Sequence, residues 1–96
     1  MYLKIHKTEE NIVIAVCDEN LIGKSFKEKN CKLEITERFF KGKRHGEKDV
    51  VEILKTVNNA NIVGEKAIKA ALKAGIIEEE GVMRIKGIPH AIYCRV

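Results

Sequence analysis

Two short segments combine residue types able to hold a ligand. Asn58-Asn59-Ala60-Asn61-Ile62-Val63-Gly64-Glu65-Lys66 sets amide side chains, a glycine and a lysine around what reads as a helix N-terminus. Free backbone N–H groups at such a terminus favour an anion, and Gly64 in the first turn would let a phosphate or another backbone approach closely. Lys66, Lys69 and Lys73 follow at i, i+3 and i+7 on the polar face. The plainer reading takes Asn61 as the helix cap and Gly64 as a packing residue. The glycine and lysine spacing of a Walker loop is absent. The second segment, Gly87-Ile88-Pro89-His90, holds the only proline. His90 shares a strand face with Ile92 and Cys94, where a histidine is more often a hydrogen-bonded core residue than a ligand or a base. At about 3.3 Å per residue, His90 and Cys94 stand too far apart along a strand to share one metal ion. No metal site and no cofactor are expected.

No nucleophile elbow, HExxH pair or dinucleotide fingerprint is present, so no reaction class has its signature and no catalytic residue is assigned. The enzymatic alternative is a Cys or His centre built from Cys17, His6 and His90, which requires them to come within hydrogen-bond reach. The three cysteines, Cys17, Cys31 and Cys94, are widely spaced and form no CxxC. Each is expected on a buried strand face as a reduced thiol. A disulfide framework is excluded, which points to a reducing, cytoplasmic setting.

Positive charge is concentrated. The net charge is +4, yet Lys24 to Lys48 alone holds nine Lys or Arg against four Glu, a balance of 9 − 4 = +5. Lys24, Lys27, Lys29, Lys41, Lys43 and Arg44 fall in segments that read as loops, which can gather on one sheet edge and attract phosphates. A lysine-rich, heat-adapted surface would show the same excess without any such partner. The first and last strands each carry Tyr-x-basic, Tyr2 with Lys4 and Tyr93 with Arg95. As neighbours, these strands would line one open face with tyrosines and cations, as base-stacking surfaces do.

The elements follow from periodicity. Tyr2 to Lys7 alternates, with Leu3 and Ile5 on one face, and Ile12 to Cys17 is a nearly continuous apolar run suited to a strand covered on both sides; the two form a hairpin. Asp18 to Gly23 reads as a short turn capped by Asp18. Cys31 to Thr36 alternates again, with Cys31, Leu33 and Ile35 inward, and Phe39 to Gly46 reads as a loop. From Glu47 the period becomes helical, with Val50, Ile53, Leu54 and Val57 on one stripe. A second helix runs from the Asn61 cap to Ala74, stopped by Gly75, with Val63, Ala67, Ala70, Ala71 and Ala74 as a narrow seam. Val82 to Lys86, with Met83 and Ile85 inward, and Ala91 to Val96 are the last strands. The expectation is one α+β domain over residues 1–96, with a mostly antiparallel or mixed sheet of about five strands and two helices packed on one face. No stretch of about 18 apolar residues exists for a membrane span.

Three blocks, Ala15-Val16-Cys17-Asp18 with Leu21-Ile22-Gly23-Lys24, then Ala60-Asn61-Ile62-Val63-Gly64-Glu65-Lys66-Ala67, then Gly87-Ile88-Pro89-His90-Ala91, resemble an archaeal family of uncharacterised proteins, domain of unknown function 424. The resemblance spans nearly the whole chain. It implies an archaeal cytosol and a link to RNA or translation, and supplies no catalytic residues. The expected function is therefore an RNA-binding module using the Lys24 to Lys48 surface and the Asn61 helix start. The alternatives are an adaptor for a protein partner of the translation apparatus, or a small-molecule or nucleotide enzyme with its site at Gly64.

Overall fold

The computed structural model describes residues 1–95. β1 (Tyr2–Lys7) and β2 (Ile12–Cys17) form the expected hairpin, in register from Tyr2 opposite Cys17 to Lys7 opposite Ile12. A single 3-10 turn, Glu19–Leu21, leads to a small hairpin of β3 (Ser25–Glu28) and β4 (Cys31–Glu34). Then come a one-turn helix α1 (Glu37–Phe40), β5 (Lys43–Arg44), α2 (Glu47–Leu54), β6 (Asn59–Val63), α3 (Glu65–Ala74), a second 3-10 turn (Glu79–Gly81), β7 (Met83–Ile85) and β8 (Ile88–Cys94). The main sheet has the order β5-β1-β2-β6-β8-β7. It is mixed because β2 and β6 run parallel while the other pairs are antiparallel.

The two helical stripes read from the sequence meet the sheet as expected. Val50 and Leu54 of α2, with Ala67, Ile68, Ala70 and Ala71 of α3, close over Leu3, Ile14, Val16, Ala60, Ile62 and Ala91. Alanines at the seam let α2 and α3 approach each other and the sheet. The opposite face is covered too: Leu21, Leu33, Ile35 and Phe40 pack on Tyr2, Ala15, Cys17, Val63 and Ile85. This two-sided burial explains the unbroken apolar run of β2. Each fully buried large side chain, such as Ile35 or Leu54, contributes about 1.5–3 kcal/mol relative to exposure.

The departures from the sequence reading have identifiable causes. Asn59–Val63 is a strand and not a helix cap. Its asparagines are poor strand formers, but Ala60 and Ile62 enter one core and Val63 the other, and hydrogen bonding to β2 and β8 outweighs local propensity. β8 begins before the proline, so Pro89 lies inside a strand. Its missing N–H costs nothing there: Pro89 O accepts from Gly64 N (2.9 Å), while Gly64 O, the group a donor at position 89 would have met, accepts from Ile68 N (2.9 Å). α1 replaces part of the expected loop because Thr36 Oγ1 accepts from Phe39 N at 3.2 Å. Cys31, Cys94 and Met83 are exposed. Only Leu33 and Ile35 of their expected inward set near β4, and Ile85 of β7, reach the core.

Asp18 does not cap its own turn. It caps α3 from 48 residues away: Oδ2 accepts from Lys66 N at 3.1 Å and Oδ1 from Ala67 N at 2.9 Å. Gly64 stands at the cap position with φ 111° and no side chain of its own to offer. A Cβ on Gly64 would lie 2.4–2.7 Å from the Asp18 carboxylate. Both residues are therefore fixed by one contact. Asp18→Ala, which leaves the buried Ala67 amide and the part-buried Lys66 amide without their acceptor, is expected to cost about 2 kcal/mol. Gly64→Ala, which combines strain with overlap, is expected to cost about 3 kcal/mol or more. Thermal unfolding checks both, since each kcal/mol lowers Tm by roughly 4–8 °C in a domain of this size.

Candidate functional site

The three sequence blocks converge at the C-terminal ends of the parallel strands β2 and β6. Asp18 N donates to Val63 O at 3.1 Å, Gly64 N donates to Pro89 O, and the Asp18 carboxylate holds the start of α3. The anion that this helix start attracts is thus the protein's own. The Lys66 and Ala67 amides, expected to be free for a phosphate, are occupied, and Gly64 serves the close approach of Asp18. Asn61 sits mid-strand with Ile92 opposite it. The Lys66 side chain is exposed on the helical layer.

Asn61 has a different partner from the one expected. Its Oδ1 lies 2.9 Å from His90 Nε2, so Nε2 carries the proton and donates. That leaves Nδ1 as a lone-pair acceptor, buried and without a partner. Burial pushes the His90 pKa below the ordinary histidine value. Asn61 and His90 lie on the same sheet face as the β3–β4 cover, in the part it leaves open. There Ile92 is 64% exposed and Met83, opposite His90, is 55% exposed.

The residues of the enzymatic alternative are not brought together. Cys17 is buried and its pKa is pushed up to about 12, first by burial and then by the Asp18 charge. His6 lies at the far end of β1, opposite Val13, with Nε2 2.8 Å from Phe39 O and its ring stacked on Phe39. Three concavities of about 440, 340 and 400 Å³ are lined by the β1–β2 turn with Thr56 to Asn59, by that turn alone, and by Leu3, Ile5, Lys43, His45 and Ile53. None of these takes Asn61, Gly64 or His90 into its walls.

The basic segment is carried by the cover. β3, β4, α1 and β5 all belong to the layer or edge around the Leu33–Ile35–Phe40 core. Within Lys24 to Lys48, Lys32, Lys41 and Arg44 pair with Glu34, Glu37 and Glu19. Lys24, Lys27, Lys29, Arg38, Lys43 and Lys48 are exposed and have no ion-pair partner among the described residues. Lys29 sits in the two-residue tip of the β3–β4 hairpin. Gly42 lets β5 cross close to β1, since a Cβ there would fall 2.1 Å from Leu3 O. The tyrosines do not form a platform. β2 and β6 separate β1 from β8, and the two rings are on opposite faces. Tyr2 is 9% exposed, with the Arg44 guanidinium 5.7 Å above its ring, whereas Tyr93 packs against the helical core and Arg95 is exposed beyond β8.

Sequence singles out Asn61 and His90 as site candidates but not the hydrogen bond between them, and singles out neither Asp18 as the cap of α3 nor the Ile92–Met83 strip. The available signal was that Asp18, one of two aspartates, follows a buried strand directly.

The chain is thus an α+β protein with a mixed six-stranded sheet, two helices on one face and a two-stranded hairpin with short elements over the other. It belongs to the family described as protein of unknown function, DUF424, which matches residues 6–96. The crystal structure of an uncharacterised conserved protein from Methanopyrus kandleri is similar, with a TM-score of 0.84 and 29% identity over 99% of this chain and 93% of that one. No curated protein matches the chain. No helix among the described residues is long and apolar enough to cross a membrane.

Two measurements probe these assignments. In the native protein, a thiol reagent is expected to modify Cys31 and Cys94 rapidly, and Cys17 only on unfolding; three equally fast thiols would contradict the burial of Cys17. For His90, the unfolded chain holds its proton to higher pH than the folded chain. Stability contributed by the neutral ring is therefore complete above about pH 6.5 and declines as pH falls toward the lowered folded value. His90→Gln should flatten this part of the stability profile in denaturant titrations, and an unchanged slope would remove His90 as its source.

Proposed function

We propose that this protein binds RNA through the cover layer, with Lys24, Lys27 and Lys29 on and beside the β3–β4 hairpin and Arg38 and Lys43 on α1 and β5 contacting phosphates. The setting proposed with it is translation or RNA processing. The observation that carries the reading is the local charge arrangement. Five exposed cations without acidic partners among the described residues gather on the short elements that cover one side of the sheet; Lys48, Lys66 and Lys69 on the helices are unpaired too, but stand among Glu47, Asp49, Glu52 and Glu65. Such an unneutralised cluster attracts a polyanion and releases its counterions. Lys41 and Arg44 can exchange an exposed carboxylate for phosphate at little cost, because exposed pairs contribute little to stability. The open strip beside the cover offers apolar Ile92 and Met83 and the amide of Asn61 to unpaired bases. Lys66, Tyr2, Tyr93 and Arg95 play no part in this surface.

Filter binding of total RNA across a salt series tests the proposal. Affinity should fall with salt, and replacing Lys24, Lys27 and Lys29 together by Ala should reduce the slope by about 2, at about 0.7 per phosphate contact on a single strand. Replacing Lys55 and Lys73 instead should leave the slope unchanged. No binding at low salt, or a slope indifferent to the hairpin lysines, would remove the basis of the reading.

A further inference from the structure

β8 runs from Ile88 to Cys94, but its outer neighbour β7 pairs only with Ile88, Pro89 and His90. Beyond His90 its outer side has no strand beside it among the described residues. Hydrogen bonding alternates along an antiparallel strand. The bonds from Gly64 N to Pro89 O (2.9 Å) and from Arg95 N to Asn58 O (2.7 Å) fix positions 89, 91, 93 and 95 as those directed at β6. Ile92 and Cys94 consequently direct their N–H and C=O groups outward. Edge strands are ordinarily blunted by charge, proline or a bulge. The stretch Ala91-Ile92-Tyr93-Cys94 has none of these protections, and the Ile92 side chain is largely exposed.

We propose that this edge pairs with the same edge of a second copy of the chain, antiparallel about a two-fold axis at Tyr93. The register selects a second copy. β7 occupies the place beside His90, which leaves positions 91–95 free, and such a stretch matches its own copy about its centre. Ile92 then stands opposite Cys94 of the second copy and Cys94 opposite its Ile92, so the outward backbone groups of both chains are satisfied and the exposed side chains cover one another.

Charge selects the same arrangement. In this register Arg95 falls opposite Ala91 of the second copy, beside the chain that enters β7. That chain is Glu78-Glu79-Glu80, three exposed carboxylates with no ion-pair partner among the described residues. It follows Ile76 and Ile77 and precedes Val82, which all pack on the helical core. Arg95 lies on that side of the sheet, as Ala91 and Tyr93 do. Arg95 likewise has no acidic partner among the described residues. Each copy brings a cation to the other's acidic turn. The edge is distinct from the hairpin lysines, so the dimer leaves the phosphate contacts untouched and shares only Ile92 with the surface proposed for bases.

Sedimentation equilibrium of the full chain without RNA is expected to show a reversible dimer. Arg95→Glu should weaken it on the order of tenfold, and adding Glu79→Arg and Glu80→Arg to that variant should restore it. In a Cys31→Ser, Cys94→Ser background, Tyr93→Cys places two thiols across the axis with Cα atoms about 4.5 Å apart, which is within disulfide range. Mild oxidation should then give a covalent dimer, with circular dichroism confirming the fold of each variant. A chain that is monomeric at every concentration overturns the proposal. So does a dimer that Arg95→Glu fails to loosen and that Tyr93→Cys fails to cross-link.

Discussion

The contact between the Asp18 carboxylate and the first turn of α3 is the constraint on which the remainder depends. A helix start leaves backbone donors unsatisfied, and here neither Gly64 nor Asn61 supplies a side-chain acceptor. The acceptor comes instead from the residue that ends β2. For Asp18 to reach Lys66 and Ala67, β2 and β6 must lie side by side and parallel, the chain must turn sharply at residue 64, and that residue must lack a Cβ. α3 therefore has no local cap and gains its start only once a pairing of large sequence separation has formed. Helix and sheet are coupled thermodynamically, which favours all-or-none folding.

The same geometry separates the two faces by role. Alanine-rich α3 and the α2 stripe form a closed apolar layer, tied at its surface by the Lys73–Glu47 pair between the two helices. The other face is roofed by short elements held through a few large side chains, Leu33, Ile35 and Phe40. Short elements cannot cover a six-stranded sheet, so part of this face remains open beside β8. Charge, the Asn61–His90 pair and exposed Ile92 all occur at that incomplete roof. The division follows from topology: the long connection between β2 and β6 supplies the roof and then α2, and the connection between β6 and β8 supplies α3.

Much of the fold was legible in the sequence. The β1–β2 hairpin, the α2 stripe, the α3 seam and the Gly75 stop all rest on periodicity or local backbone chemistry, and those signals are contained within each segment. β6 was not legible, because Asn-Ala-Asn carries no strand signal and its extended state is imposed by two neighbours. The burial of Cys31, Cys94 and Met83 was misjudged for a related reason. Alternation shows that residues share a face, but only the extent of the roof decides whether that face is covered. Positive charge between Lys24 and Lys48 was visible as composition; its placement on a hairpin and a one-turn helix laid over the sheet was not, since that depends on tertiary packing. The capping role of Asp18 joins residues 48 apart, and no local pattern encodes it.

Pro89 gives the last strand a feature that its neighbours lack. The Asn61–His90 hydrogen bond favours one alignment of β8 on β6, but a slide by two positions would keep every β8 side chain on its own face of the sheet. The proline removes that freedom. It fits only where the facing carbonyl is already engaged, and along β6 the carbonyl of Gly64 is engaged by the first turn of α3. Any slipped alignment would set the ring against a strand carbonyl that needs a donor. The residue that ordinarily interrupts a strand acts here as its alignment pin, which is how a chain terminus can be added to a sheet in a single register.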